Sequence, residues 1–251
     1  MREFTEDFIN DLSDRSIPAV CVSIMGKSAK EISENLANAK LARPDCLEFR
    51  ADTLKSLSEA EISAPMIGKG SGGLPIILTI RSKKEGGLAS LSDEEYTGFL
   101  VKAAKENWAD LIDVECIDKT YDVKKLISDI HEAGAGVIGS YHDFDKTPSV
   151  EKMVEILTAE ASLGADVIKA AFMPQSKTDV LHLMEATIIA KENTGKSVVT
   201  MAMGDIGRIS RLTGGFTGSC ITFGAAAKAS APGQIGALYL KKELCELFDL
   251  L

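Results

Sequence analysis

The sequence predicts an α/β protein folded as a (β/α)8 TIM barrel. Three observations predict it. Short aliphatic runs bounded by Gly, Pro or Asp alternate with helical patterns eight times, and strict alternation implies parallel strands. Eight such units fit into 251 residues with no linker and no composition break, the expected size of this barrel. No Gly-x-Gly-x-x-Gly follows the first strand, so the alternative, an open doubly wound sheet, is disfavoured. The whole chain, 1–251, is read as one barrel domain, with 1–17 as an N-terminal arm or helix packed on it.

Taken in order, 1–16 is polar, but Phe4, Phe8, Ile9 and Leu12 recur at helical spacing, and Ile17-Pro18 ends the segment. A strand at 19–25 stops at Gly26. A helix follows over 28–42, with Ser28 and Glu31 in a capping-box pattern. The second strand is 46–52, with a short helix over 54–62 and a flexible loop at 69–73. The third strand, 75–81, leads to a helix at 92–107 that Ser92 and Glu95 again cap. Next come a strand at 111–116, a helix at 123–132 ended by Gly134, and a strand at 136–141. A helix at 149–163, a strand at 167–171 and a helix at 177–192 continue the alternation. The last unit has strands at 197–203 and 220–224, a short helix at 206–212 between them, and a closing helix at 234–248.

An internal repeat marks the even strands. Asp45, Asp110 and Asp166 open strands two, four and six, and three residues on stand Glu48, Asp113 and Lys169. Alternate strands of a barrel fill a common interior layer, so these three side chains should point inward at similar height. Period-two alternation also puts Arg50 with Glu48, Arg81 with Thr79, and His142 with Ser140 on inward faces near the C-terminal strand ends, where such barrels hold their sites.

The chemistry concentrates on Lys169 and His142. Lys169 lies inside an apolar run, where desolvation disfavours the ammonium and frees the amine to attack carbonyls. His142, one strand away, can move protons near neutral pH. Together they suggest imine chemistry with an acid/base partner; a lone lysine at a strand end is otherwise a solvated rim charge. Arginines facing carboxylates fit a small, polyhydroxylated, anionic substrate. His131 and His182 fall on helices and are read as solvated.

The net charge of −9 argues against a nucleic-acid partner. No run is long enough to span a bilayer, and no signal-peptide pattern opens the chain, so the expected location is cytoplasmic. Five cysteines without a C-x-x-C pair read as buried free thiols in a reducing compartment, with no zinc site.

Seven segments, in order, carry a resemblance: 22–26, 47–52, 79–87, 140–144, 166–169, Met203-Gly204 with Ser210-Arg211, and 230–234. From Ala19 to about Leu244 the chain resembles type I 3-dehydroquinate dehydratase, the Schiff-base dehydroquinase of the shikimate pathway. The resemblance implies that Lys169 forms the imine with a substrate ketone, that His142 is the general base and later the acid, and that Glu85 orients His142. It implies Arg211 and Gln234 on the substrate carboxylate, Glu48, Arg50 and Arg81 on its hydroxyls, and Ser23 and Ser230 as further contacts. It implies no metal or organic cofactor and a homodimer; independently of it, the small residues of 228–234 after the last strand read as a lid. Many members carry a β-hairpin across the barrel bottom where this chain reads as helix. The nearest alternative is a class I aldolase or transaldolase acting on a sugar phosphate, with 213–219 pressed into service as the phosphate site. A barrel that binds without catalysing is a third reading, which intact Lys169, His142 and Glu85 oppose.

Overall fold

The computed structural model describes residues 1–226 and 230–248. Its strands are β1 (Ala19–Ile24), β2 (Cys46–Arg50), β3 (Ile76–Thr79), β4 (Leu111–Glu115), β5 (Gly136–Asp143), β6 (Val167–Phe172), β7 (Ser197–Ala202), β8 (Ile221–Ala225) and β9 (Ile235–Gly236). All pair in parallel, in the order β7-β6-β5-β4-β3-β2-β1-β8-β9. The helices are α1 (Glu3–Asp14), α2 (Ala29–Leu41), α3 (Leu57–Gly70), α4 (Asp93–Lys105), α5 (Val123–Glu132), α6 (Val150–Ser162), α7 (Lys177–Thr194), α8 (Gly204–Gly207), α9 (Ser210–Thr217) and α10 (Ala237–Phe248). The curled sheet is the expected barrel, its ring joined between β7 and β8 by an isolated bridge from Val198 to Ser219. β9, which the sequence did not predict, adds to the upper end of β8 on the edge away from β1.

Alternation along each strand divides the core in two. Odd-phase residues such as Val20, Leu47, Leu78, Val137 and Ile168 pack outward against the helices. Their neighbours of the opposite phase, including Cys21, Cys46, Ile77, Leu111, Ile138, Val167 and Val199, fill the barrel interior. Both layers are apolar, so the strands carry near-continuous hydrophobic runs at their N-terminal ends. Charge enters only above that floor.

The N-terminal segment is helical, as its spacing predicts. Phe8 and Leu12 of α1 join the interior cluster and cover the bottom of the barrel, while Phe4 is exposed. Arg2 ties the start of α1 to the β5 entry, with its backbone N–H and its Nε both donating to the Gly134 carbonyl at 3.0 and 3.1 Å.

Three expectations need correction. The spacing predicts a short helix over 54–62 and a loop from 69, but α3 runs from Leu57 to Gly70. Pro65, Gly68 and Gly70 make a poor helix, and packing overrides propensity: a Cβ at Gly70 would stand 2.7 Å from Leu36 of α2. The short helix at 206–212 is two helices, α8 and α9. His131 is not a solvated helix residue; its Nε2 lies 2.8 Å from Asp166 and pins α5 to the start of β6. The capping predictions hold at Ser92, where both bonds of the box form. At Ser28 only half forms, because Glu31 turns its carboxylate to the Lys27 N–H.

Candidate active site

Strand register alone assembles the polar ring. Ser23 pairs with Glu48, Thr79 with Asp113, Glu115 with Ser140, and Ser140 with Lys169. Each is in phase with the apolar floor and one or two layers above it. Lys169 Nζ lies 2.9 Å from Asp113 and 3.9 Å from Glu48, so the three residues predicted to share a layer do meet inside the barrel. The lysine is 3% exposed, and its Nζ sits 5.0 Å from the centre of the Phe223 ring.

Glu48 is held from two sides, by Thr79 Oγ1 at 2.9 Å and Ser23 Oγ at 2.5 Å. Ser23 in turn accepts from Ser230 at 3.0 Å, and Gln234 Nε2 donates to Ser230 at 2.7 Å. The loop before β9 is thereby tied to β1. Lys228 and Ala229 of the predicted lid lie outside the described residues.

Arg81 stands just past β3 and is buried. Its guanidinium donates to Asp113 at 2.7 Å, to Ser140 at 3.0 Å, and to Glu85 and Glu115 at 3.3 Å each. Burial would lower its pKa, but Asp113, Glu85 and Glu115 outweigh that and hold it firmly charged. The reverse holds for Asp113. Burial favours its neutral form, yet Arg81 and Lys169 keep the carboxyl well below the usual carboxylate range.

Glu85 sits in a turn, Lys83–Glu85, closed by Gly86 and Gly87. Both glycines are required. Gly86 has φ +81 and lies under Phe144, and a Cβ at Gly87 would stand 2.1 Å from the Arg81 carbonyl. This turn brings Glu85 Oε2 to 3.1 Å from the His142 backbone N–H and 3.2 Å from His142 Nδ1. Burial, reinforced by the Arg81 and Lys169 cations, pushes the imidazole well below its ordinary pKa. His142 is therefore neutral at neutral pH and able to accept a proton.

These groups face one cavity of about 200 Å³. Lys169, His142, Glu85, Glu48, Arg50, Arg81, Arg211, Ser230 and Gln234 all line it, with Met201, Met203, Phe144 and Phe223 as its apolar walls. Ser23, the remaining predicted residue, stands behind Glu48. Two predicted binding arginines are differently placed from each other. Arg50 is already paired with Asp52 through two bonds of 2.8 and 2.9 Å. Arg211, on α9, is 1% exposed and touches no carboxylate among the described residues. Its contacts are the Phe223 and Pro232 carbonyls at 3.4 and 3.2 Å and the Met201 sulfur at 3.7 Å, and its Nε has no partner. Burial pulls its pKa down to about 10, which still leaves a cation at neutral pH.

The site also contains residues that the sequence reading did not select. Glu115 is two residues beyond Asp113 on the same strand face, a signal that alternation offered. Ser140 donates to Asp113 at 2.6 Å. Lys119 bridges Glu85 and Glu115, 2.7 Å from each. It belongs to an irregular loop after β4, where no periodicity points inward. The segment 213–219, considered for phosphate, is the second half of α9 and its cap.

The chain is similar along most of its length to known proteins. A 3-dehydroquinate dehydratase of Listeria welshimeri is 41% identical over 237 residues, covering 93% of this chain and 92% of its own. One from Klebsiella pneumoniae is 41% identical over 236 residues, covering 92% of each. The crystal structure of the type I 3-dehydroquinate dehydratase of Clostridium difficile, with covalently modified comenic acid, superposes with a TM-score of 0.89 at 36% identity, over 94% of this chain and 95% of that one. Residues 20–249 match the type I 3-dehydroquinase family, and the chain belongs to it.

Proposed function

We propose that this enzyme dehydrates 3-dehydroquinate to 3-dehydroshikimate through an imine on Lys169. The family's members are hydro-lyases of the shikimate pathway, and a Schiff base is characteristic of type I. The observation that carries the reading for this chain is that Lys169 and His142 line the same cavity, with Glu85 on His142 Nδ1.

The steps follow from the residues. Lys169 gives up a proton, its amine attacks the substrate ketone carbon, and the carbonyl oxygen leaves as water with that proton to give the iminium. His142, its Nδ1 held by Glu85, presents Nε2 as base to the carbon next to the iminium. The electron pair released flows into the iminium nitrogen. It then returns to expel the neighbouring hydroxyl, which leaves as water with the proton that His142 carries. A second water hydrolyses the imine and restores Lys169. Among the described residues, Arg211 is the one buried cation of the cavity without a carboxylate partner, which supports its pairing with the substrate carboxylate, alongside Gln234. Glu48, Arg50 and Arg81 take the hydroxyl side. Arg81 has its guanidinium spread over four protein acceptors, so most of its role is to shape the ring. Ser23 and Ser230 link Glu48 to Gln234 and fix the edge of the cavity.

Borohydride trapping tests this directly. Protein incubated with 3-dehydroquinate, reduced and digested should carry the adduct on Lys169, and the unreduced sample should gain enone absorbance. An adduct on another lysine, or enone without any adduct, would overturn the assignment. Turnover of a sugar phosphate in place of dehydroquinate would favour the aldolase reading.

The same proposal places the protein in the cytoplasm as a homodimer. Its five cysteines are all free thiols, in keeping with a reducing compartment, and no described helix is long and apolar enough to cross a membrane. The exposed apolar side chains Leu181 and Ile188 on α7, with Ile209 and Phe216 beside and on the adjoining α9, support a self-association face. Sedimentation analysis should give twice the 26.8 kDa chain mass, and a monomer at micromolar concentration would reject the dimer.

A further inference from the structure

Behind the cavity lies a charged cluster whose balance depends on one residue outside the strands. Asp113, Glu85 and Glu115 are buried carboxylates, and Arg81 contacts all three. Lys169 adds a second cation, on Asp113. One guanidinium cannot neutralise both remaining carboxylates. Lys119 does so, with Nζ 2.7 Å from Glu85 Oε1 and 2.7 Å from Glu115 Oε2, its side chain 8% exposed. Arg81 and Lys119 thus serve Glu85 and Glu115, while Lys169 serves Asp113 and, at 3.9 Å, Glu48. Glu85 is shared in a defined way: Oε1 to Lys119, Oε2 to Arg81 and His142.

We propose that Lys119 is a positioning residue for the catalytic base: it orients Glu85, offsets its charge, and so keeps the His142 imidazole uncharged at the working pH. This inference rests on the reading of His142 as the base and adds a residue to it. The charged groups facing His142 are Glu85 from the turn after β3, Arg81 just beyond β3, Asp113 from β4, Lys169 from β6 and Arg50 from β2. Those facing Lys119 are Glu85 and Glu115, with the Tyr96 and Tyr121 hydroxyls on the Glu115 backbone and Asp118, Asp93, Lys83 and Lys84 toward the outer opening. Removing Lys119 leaves Arg81, shared with Asp113, as the only lysine or arginine on Glu85 and Glu115 among the described residues. A proton can then go to Glu85 or Glu115 itself or to His142, 3.2 Å from Glu85, and the His142 titration distinguishes the two. A protonated His142 cannot serve as base.

The test is a pH profile with a direct readout of the imidazole. In Lys119→Met the acid limb of kcat/KM should move up by about one pH unit, with the high-pH plateau within a few-fold of the parent. Lys119→Arg, which keeps the cation, should return the limb close to the parent. Nuclear magnetic resonance titration should show the same upward shift at His142, readily assigned because the chain has 3 histidines. A folded Lys119→Met enzyme with an unmoved His142 titration, and activity reduced equally at every pH, would overturn the proposal. Lys119→Gln keeps hydrogen-bond donors without charge and reads the same prediction should the methionine variant fail to fold. His142→Ala separates the two ideas: unchanged turnover there would reject His142 as base, whereas the titration in the Lys119 variants judges Lys119 independently.

Discussion

Glu160 shows what a single buried side chain does when nothing neutralises it. It sits on α6, 0% exposed, behind the strand that carries Lys169. One oxygen accepts the Lys169 backbone N–H at 2.9 Å, and the other has no partner among the described residues. Burial raises its pKa far above the ordinary value, so it stays protonated in the folded protein at neutral pH. The sign follows by linkage. The unfolded chain releases this proton near the usual carboxyl range and the folded one does not, so stability present below that range is lost as pH rises toward the folded pKa. Glu160→Gln keeps an oxygen for the Lys169 N–H and removes the titration. Its denaturant midpoint should exceed the parent's at pH 8 and match it near pH 4; a difference that does not change with pH would contradict this. Arg211→Leu tests the opposite case, a buried cation kept for a ligand. It should raise KM by roughly tenfold to a hundredfold, since a charge-assisted bond is worth about 1.5–3 kcal/mol, and should not weaken the fold, because the buried charge goes with it. At this scale the site was legible wherever a charged residue broke an apolar run, as at Glu48, Lys169 and His142. Lys119 was not, because its direction is set by the path of a loop and by two carboxylates remote in sequence.

Elements were legible where period and capping agreed. The strands declared themselves by aliphatic runs between Asp and Gly, and α4 by Ser92 and Glu95. The α3 boundary was hidden, because close packing of Leu36 over Gly70 sustains a helix its own residues argue against. The entry to β9 was hidden too, since a two-residue strand has no period. The spacing in α1 showed a helix but not its destination. Phe8 and Leu12 enter the barrel floor, and Leu12 is 1% exposed. Leu12→Ala should therefore cost about 2–5 kcal/mol, the range for a fully buried leucine in a core, seen as a lower denaturant midpoint. Phe4→Ala, on the exposed face, should change it by less than about 0.5 kcal/mol. Equal effects from the two would mean that α1 does not close the barrel. The turn holding Glu85 is as exacting. Gly87→Ala must displace the Arg81 carbonyl or the turn itself, so it should lower kcat well over tenfold while the apolar floor, below it, keeps the protein folded.

At the scale of the molecule, the sequence indicated eight strands but not how the ring is joined. Between β7 and β8 the backbone ladder is reduced to Cys220 N–H donating to the Val198 carbonyl at 2.8 Å. Above that point side chains take over. The Thr200 N–H donates to Ser219 Oγ at 3.1 Å, and the Ala202 N–H to Ser210 Oγ at 3.0 Å. Two serine hydroxyls thus stand where strand carbonyls would otherwise be, and β9 occupies the upper edge of β8. A buried amide left without an acceptor costs about 1–3 kcal/mol, so each serine holds the seam by roughly that amount. Ser219→Ala should destabilise the protein within that range. Amide exchange should accelerate at Thr200 and at its neighbours in β7, while the amides of β5, in the unbroken part of the ladder, keep their protection relative to global unfolding. Met201 and Arg211 border this seam and the cavity together, so the same variant should raise KM more than it lowers kcat. Unchanged exchange at Thr200 would mean that backbone pairing, not the serine hydroxyl, holds β7 to β8.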